Sequence, residues 1–377
     1  VKTWLGTSSF EMAIERMIDI YSAGNRVVVS FSGGKDSTVA MEVCLLAAIE
    51  TDRTPVEVVM RDEEIMFPGT FEYCERVAQR DEIDFHWVYA CQPVINVFDR
   101  ARPYWWVFDP LLEPSEWVRE PPPFAYQIED QFIQAITSSK LFPPPAGGEL
   151  FCVTGLRTDE SPNRIRGVHS AGGHLTKLTR WGFRRCNPIY DMSDGGVWKA
   201  IGDNGWDWNR AYDVMTRFGV ARRLQRIAPP TQRAAQLEVL TIAAKSYPRW
   251  FDRVTERLPG IRAAVQFGRV VLEPRRNIGE PWSATFQREC IDTAPPWIAA
   301  RNTAAMEEIL AKHASHSSQP FPEAQQCVRC GVTGSWMRLA KDLYTGDPFS
   351  FTTALPPVEP EFFREGAGKW GGGSPSW

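Results

Sequence analysis

Apolar residues recur at helical spacing over Phe10, Ile14, Met17, Ile18 and Tyr21, just after a Ser8/Glu11 pair with the spacing of a capping box. The pattern predicts an amphipathic helix that Gly24 ends. The period then changes. Arg26–Ser30 (RVVVS) is a β-branched run of the kind buried in a parallel sheet, and Thr38–Ile49 (TVAMEVCLLAAI) reads as an apolar helix. Further strands are predicted at Val56–Arg61, Phe85–Ala90 and Leu150–Thr154, with a helix over Phe71–Arg80. Strands alternating with helices argue for the α/β class, a doubly wound parallel sheet. A Trp/Pro-rich insertion at about 91–126 separates the third and fourth strands, and helices at Ser193–Asp203 and Asp207–Arg217 close the unit.

Pro229-Pro230 is the expected boundary between a first domain at 1–228 and a smaller, mainly α-helical domain at 229–365. Helices at Thr231–Lys245 and Ala304–His313 are predicted in the second domain, and the Gly/Ser-rich tail 366–377 is expected to be disordered. With 43% hydrophobic and 23% charged residues, the chain of 377 residues has the composition of an ordinary globular protein. A formal charge of -4 gives no overall pull towards nucleic acid. Local runs, Arg180–Arg185 (RWGFRR) and Arg222–Arg226, are left as either a nucleic-acid contact or a solvated face. No apolar run approaches the roughly 18 residues that span a bilayer, so no membrane partner is expected. Nothing after Val1 resembles a signal peptide, and the eight cysteines are dispersed, which points to the reducing cytoplasm. A homodimer is left open.

The chemistry concentrates in Ser30-Phe31-Ser32-Gly33-Gly34-Lys35-Asp36-Ser37, between the first strand and its helix. Backbone N–H groups in such a glycine turn converge on a phosphate, and the following helix adds the positive end of its dipole. Lys35 offers a mobile positive charge, Ser32 and Ser37 offer hydroxyls, and Asp36 suits a Mg²⁺ ligand or a brace for the loop. The spacing is neither that of the Walker loop nor that of the dinucleotide fingerprint.

Ser32–Ser37 resembles the signature of the PP-loop superfamily, the adenine nucleotide alpha hydrolases. Three further segments resemble its PAPS reductase-like branch. Asp62-Glu63-Glu64-Ile65-Met66-Phe67-Pro68-Gly69-Thr70 is similar to that branch's Asp-Thr-Gly-x-x-Phe-Pro-Glu-Thr. Gly155-Leu156-Arg157-Thr158-Asp159-Glu160-Ser161, with Arg164 beyond, is similar to its Gly-x-Arg-x-x-x-Ser. Asn187-Pro188-Ile189-Tyr190-Asp191-Met192-Ser193 with Val197-Trp198 is similar to its Pro-Ile-x-Asp-Trp-Thr and Val-Trp. The resemblance covers roughly 20–220 and implies an enzyme that binds an adenine nucleotide at Ser30, Ser32–Ser37, Asp62, Gly155, Arg157 and Arg164.

Chemically, Arg157 and Arg164 follow a strand end and suit a phosphate or sulfate clamp, with an ion pair to Asp159 or Glu160 as the plainer role for Arg157. Asp62 suits Mg²⁺, a ribose hydroxyl or a helix cap, while Glu63 and Glu64 depart from the family's Thr-Gly. The resemblance fails in two places. The reductases' C-terminal Glu-Cys-Gly-(Ile/Leu)-His segment is absent, and so is the adjacent Cys-Cys pair of their iron–sulfur members. The aromatic insertion and Phe85–Tyr89 look more like uncharacterised members of phages, mobile elements and modification operons, which makes a modification-operon partner a candidate.

In the second domain, Cys327-Val328-Arg329-Cys330 supplies one Cys-x-x-Cys. With His313 and either Cys290 or His316, it reads as a structural Zn²⁺ site, ahead of an iron–sulfur cluster, a redox pair or no metal. Cys44, Cys74 and Cys152 are expected in the core, and Cys186 is a catalytic candidate beside the pocket. His169 and His174 mark either a loop closing over the nucleotide or an exposed hairpin.

The expected activity is cleavage of ATP with Mg²⁺ between the α and β phosphates, adenylating a substrate for sulfur or nitrogen transfer, with Lys35, Asp36, Arg157 and Asp62 as catalytic residues. Nucleic acid is a candidate substrate. The alternatives are a PAPS- or sulfonucleotide-binding reductase or sulfotransferase-like protein, and a non-enzymatic nucleotide-regulated interaction module.

Overall fold

The computed structural model describes residues 6–129, 136–227, 230–231, 237–327, 329, 334–350 and 352–365. Ser8 Oγ accepts from Glu11 N and the Glu11 carboxylate accepts from Ser8 N, so the capping box closes at the start of helix α1 (Ser9–Ser22). The stripe Ala13, Met17, Ile20 and Tyr21 is buried. Strand β1 (Arg26–Ser30) leads through the glycine loop into α2 (Lys35–Glu50), which is buried along most of its length. The chain continues through β2 (Val56–Arg61), α3 (Pro68–Ala78), β3 (Ile83–Tyr89), β4 (Gln92–Ile95), β5 (Tyr104–Val107) and β6 (Tyr126–Gln127). Then follow β7 (Leu150–Val153), α4 (Pro162–Ala171), β8 (Arg184–Cys186), α5 (Asp194–Asp203) and α6 (Ala211–Arg217).

The main sheet has six strands in the order β6-β3-β2-β1-β7-β8. Its neighbouring strands pair parallel, so the α/β class read from the alternation is the observed one. From β1 the chain builds outward through β2 and β3, then returns to lay β7 against the other side of β1. The order therefore reverses between β1 and β7, and the loops leaving those two strands diverge at their C-terminal ends, where open parallel sheets bind ligands.

Alternation sorts the strand side chains by face. Val27, Val29, Val58, Met60, Trp87, Phe151 and Val153 join a core with residues of α1, α2, α3 and α5. Val28, Val59, Val88, Leu150 and Cys152 form a smaller apolar layer on the opposite face, completed by Ile136, Phe142 and Phe183. Trp87 is fully buried, which alone stabilises the fold by about 2–3 kcal/mol.

The chain divides into two compact units, 1–92 with 107–229, and 93–106 with 230–377. Of the Trp/Pro-rich insertion, 93–106 thus belongs to the second unit. That unit holds a separate two-stranded sheet of β4 and β5, most of whose residues lie in it. It also contains α7 (Leu237–Ser246), α8 (Pro248–Arg257), α9 (Ile261–Phe267), α10 (Trp282–Phe286), α11 (Pro296–Ala314), α12 (Trp336–Leu343) and α13 (Glu361–Glu365). Phe286, Ala305, Ile309, Leu339, Ala340 and Leu343 form one of its apolar cores. No helix among the described residues is long and apolar enough to cross a membrane. The tail 366–377 lies outside the described residues.

Candidate functional site

The glycine loop is shaped by its own hydroxyls and by partners far along the chain. Ser37 Oγ donates to Gly34 O at 2.9 Å, accepts from Ser32 N at 3.3 Å and lies 3.1 Å from Ser32 Oγ. Asn209 Nδ2 donates to Gly33 O at 2.9 Å and to Thr70 Oγ1 at 2.8 Å, and Tyr212 OH accepts from Lys35 N at 3.3 Å. Gly33 takes φ +70, and a Cβ there would stand 2.9 Å from both Cys74 Sγ and Thr70 Cγ2. Gly155, in the loop leaving β7, lies so close to the first turn of α2 that a Cβ would meet Asp36 C at 2.5 Å and Ser37 N at 2.6 Å. Gly33 is required by conformation and contact together, Gly155 by contact.

That close approach brings the two loops' charges together. Arg157, only 3% exposed, donates from Nε to Asp36 Oδ1 at 2.7 Å and from Nη1 to Met192 O at 3.4 Å. Its guanidinium also lies 3.6 Å from Asp194 Oδ1, 3.7 Å from Asp159 Oδ2 and 3.8 Å from Glu160 Oε1. Lys35 Nζ donates to Asp36 at 2.9 Å and to Asp194 Oδ1 at 3.1 Å. Arg164 pairs with Glu160 at 2.6 Å, and Arg226 lies 3.9 Å from the same carboxylate. Four cations thus face four carboxylates, and the cluster is electrically balanced. The donors that would meet a phosphate, Lys35 and Arg157, are already held by Asp36 and Asp194. The ion pairs weighed for Arg157 in the sequence are present, and they hold its guanidinium beside the glycine loop.

Asp194 is the residue that sequence reasoning missed. It is the first residue of α5, capped by Ser193 Oγ, which accepts from Gly196 N at 3.0 Å. An acidic residue at a helix start reads as a dipole partner. Its place after Pro188-Ile189-Tyr190-Asp191 was the available signal.

Asp62, weighed for Mg²⁺, a ribose hydroxyl or a cap, is engaged within the fold. Its carboxylate is fully buried, with Oδ2 accepting from Trp87 Nε1 at 2.8 Å and Oδ1 from Glu64 N at 2.9 Å and from Arg119. Both oxygens are engaged in bracing the end of β2. Glu64 stands where the family pattern has glycine and does take the left-handed φ of +59. Such a conformation costs a non-glycine residue about 1 kcal/mol or more. The Glu64 carboxylate offsets this by accepting from Phe108 N at 2.6 Å and Val118 N at 3.0 Å, which pins the 108–118 stretch to the strand end. Glu63 pairs with Arg61 at 3.0 Å, and burial raises its carboxyl above the ordinary value.

Cys186 is fully buried, its Sγ 3.8 Å from Met17 Sδ, and burial pushes its thiol up to about 12, so it supplies no thiolate nucleophile. Cys44, Cys74 and Cys152 are likewise buried. His169 lies on α4 rather than in a loop or hairpin, and Gly172 at φ +80 ends that helix. His174 is drawn below the ordinary value, by desolvation and then by Arg16.

The zinc ligand set is only partly in view, because Cys330 lies outside the described residues. Among the described residues, Cys290, His313, His316 and Cys327 do not gather into a ligand group; the group that does is Glu57, Asp84 and His86. Cys290 points at Ala340 O (3.5 Å) in the core, and His313 Nε2 lies 2.8 Å from Gln319 O. His313 is buried, while His316, beyond the end of α11 at Ala314, is exposed with Nδ1 2.8 Å from Ser315 Oγ. In the other group, Glu57 is paired with Arg26 at 2.5 Å.

Residues 26–100 match the family model of the phosphoadenosine phosphosulfate reductase domain. An uncharacterised protein of Escherichia coli (strain K12), YbdN, is 28% identical over 251 residues, which is 58% of this chain and 58% of the relative. The match therefore spans little more than half of that relative's length. Among solved structures, Candida glabrata FMN adenylyltransferase in complex with FAD and pyrophosphate superposes with a TM-score of 0.37 at 13% identity, over 54% of this chain and 58% of that one. The Candida auris PAPS reductase gives 0.31 at 14% identity, over 56% and 87%. The Methanococcus maripaludis tRNA thiolase NcsA, with its [4Fe-4S] cluster, gives 0.34 at 12% identity, over 68% and 79%. At these scores the likenesses are partial. The family match falls on the strand–loop–helix that carries Ser32–Ser37 and on the strands and helix after it, so this part of the chain is similar to the PAPS reductase domain.

Proposed function

We propose that the protein binds ATP with Mg²⁺ and breaks the bond between the α and β phosphates, with an acceptor oxygen taking the adenylate and pyrophosphate leaving at the Ser32–Ser37 loop. The observation that carries this reading is the balanced cluster of Lys35 and Arg157 with Asp36 and Asp194. A sulfonucleotide arriving without a metal would draw Lys35 and Arg157 towards itself and leave these carboxylates uncompensated. The donors are hard oxygens, which suit Mg²⁺. Asp36 and Asp194 would hold it, and when bound it supplies neutralisation of the polyphosphate charge.

The chain's own residues do the remaining work. Lys35 and Arg157 stabilise charge that develops on the leaving pyrophosphate, the largest expected contribution. The Ser32 hydroxyl and the loop backbone orient the phosphates, and the Asn209 and Tyr212 hydrogen bonds hold the loop in place. The buried Cys186 thiol is not available as the reactive sulfur that thiol-based sulfate reduction requires.

The test is incubation with ATP labelled at the α phosphate, with Mg²⁺, resolving AMP and adenylated products from ADP. The expected products are AMP or an adenylated acceptor together with pyrophosphate, lost by roughly 10²-fold or more in Lys35→Ala. Tight binding of PAPS in the presence of chelator, with no α–β cleavage of ATP, would overturn the proposal in favour of a sulfonucleotide protein.

A further inference from the structure

Residues 161–190 contain Arg164, Arg166, Lys177, Arg180, Arg184 and Arg185 and not one of the chain's 46 acidic residues. An acid-free run of 30 residues in a chain of net charge -4 is a local charge separation that folding alone does not call for. The run begins directly after Glu160 of the phosphate cluster.

Its first half is α4, capped at Ser161, whose Oγ accepts from Arg164 N at 3.3 Å. Val168 is the buried anchor of α4, whereas Ile165 (41%), Arg166 and His169 are exposed. Its second half is an antiparallel hairpin. Thr176 N donates to Arg185 O at 3.0 Å, Thr179 N to Phe183 O at 2.9 Å, and Asn187 N to His174 O at 2.8 Å. Leu175 bridges Cys186, so β8, the outer strand on that side of the sheet, is one arm of the hairpin. The tip carries exposed Lys177, Leu178 and Arg180, with the Arg180 guanidinium 5.0 Å from the Trp181 ring. Arg184 is partly neutralised by Glu149 at 2.9 Å.

We infer that α4 and the 174–187 hairpin bind single-stranded nucleic acid and lead it to the phosphate site. Cations spaced along a surface segment that has no acidic residue of its own, with Arg166, Lys177 and Arg180 exposed, complement a phosphate backbone. The Arg180–Trp181 pair and the exposed Leu178 and Ile165 offer faces on which unpaired bases stack, which a duplex would not expose. Only these two large aliphatic side chains of the run are well exposed, too few to seat it in a bilayer. That the bound strand is the adenylated acceptor rests on the activity proposed above. The binding itself does not, and it is measured without ATP so that the two can fail separately.

The probe is a fluorescein-labelled oligouridylate of roughly 20 nucleotides, longer than a single binding site. Its binding to the full chain is followed by anisotropy across a salt series. Arg166→Glu, Lys177→Glu and Arg180→Glu combined are expected to weaken binding at least tenfold. The log–log salt dependence should flatten by about 2, at roughly 0.7 for each phosphate that no longer meets a cation. ATP affinity and the unfolding midpoint of the variant should equal those of the parent. The corresponding triple glutamine variant, with no reversed charge, should give a smaller loss in the same direction. Unchanged affinity and slope in both variants overturn the inference. So does binding to phosphatidylserine vesicles with none to the oligonucleotide.

Discussion

Two buried arginines, one in each unit, show how the same side chain is used for opposite ends. Arg301 of α11 is fully buried and donates to Gly346 O, Pro356 O and Asp347 O at 2.7–3.1 Å, and to Ser350 Oγ at 2.9 Å. Backbone carbonyls cannot move away without unfolding the segment, so this arginine acts as a fixed staple for 346–356. Arg157 is almost as buried, but beside one long bond to Met192 O its neighbours are the side-chain carboxylates Asp36, Asp159, Glu160 and Asp194. Of these, Asp194 is 37% exposed and Asp159 47%, so both can reorient towards an incoming ligand. A guanidinium held by carbonyls is structural. One held by partly solvated carboxylates can be handed to a phosphate.

The sharpest break in that comparison is Arg301→Met. It strands three carbonyls, and at about 1–3 kcal/mol for each unsatisfied group the expected loss is about 3 kcal/mol or more, read from urea unfolding. A loss within about 0.5 kcal/mol, the range of a surface substitution, would falsify the staple role. Next comes Arg157→Lys. The charge beside Asp36 survives but the fork does not, so α–β cleavage should fall roughly 10²–10³-fold while stability falls by about 1 kcal/mol. Equal losses of stability in the two arginine variants would erase the distinction.

Asp194→Asn should have a gentler, opposite effect. With less neutralisation of Lys35 and Arg157, the affinity for ATP in chelator should rise about tenfold, ~1.4 kcal/mol after allowing for solvent screening. Its dependence on Mg²⁺ should become shallower, and titration calorimetry with and without the cation reads both.

Glu280 in the second unit marks the small end. Hydrogen bonds from Arg288 above all, and from Asn277 N, lower its carboxyl to about 2. A depressed carboxyl stabilises the fold fully above its unfolded value of 4.5 and loses that contribution as pH falls towards 2. Glu280→Gln should therefore flatten the acid limb of the unfolding midpoint between pH 4.5 and 2, as followed by circular dichroism across that range.

Much of the first unit was legible because its signals are local. The β-branched run, the two glycines and the apolar helix of residues 26–50 lie in one stretch, and the second strand falls on Val56–Arg61 as predicted. Short elements were not legible. β8 is three residues, Arg184–Cys186, polar at two of them, and only its neighbour β7 makes it a strand. β4 and β5 sit within the aromatic insertion and β6 at its end, where no two-residue period stands out. The apparent helix end at His313 hid a change of environment. His313 turns into the core and bonds Gln319 O, whereas His316, just past the end of α11, is exposed beside Ser315.

By itself, the sequence determined the parallel α/β layout and the glycine loop between the first strand and its helix, since backbone sterics and hydrophobic periodicity act within a few residues. Tertiary structure alone decided which charges meet. Arg157 and Asp36 stand 121 positions apart and touch because β7 lies beside β1 and Gly155 admits the first turn of α2. It likewise engaged Asp62 with Trp87 and Arg119 and made Glu64 the anchor of the 108–118 stretch, because a carboxylate's role is set by the donors that surround it once the chain has closed.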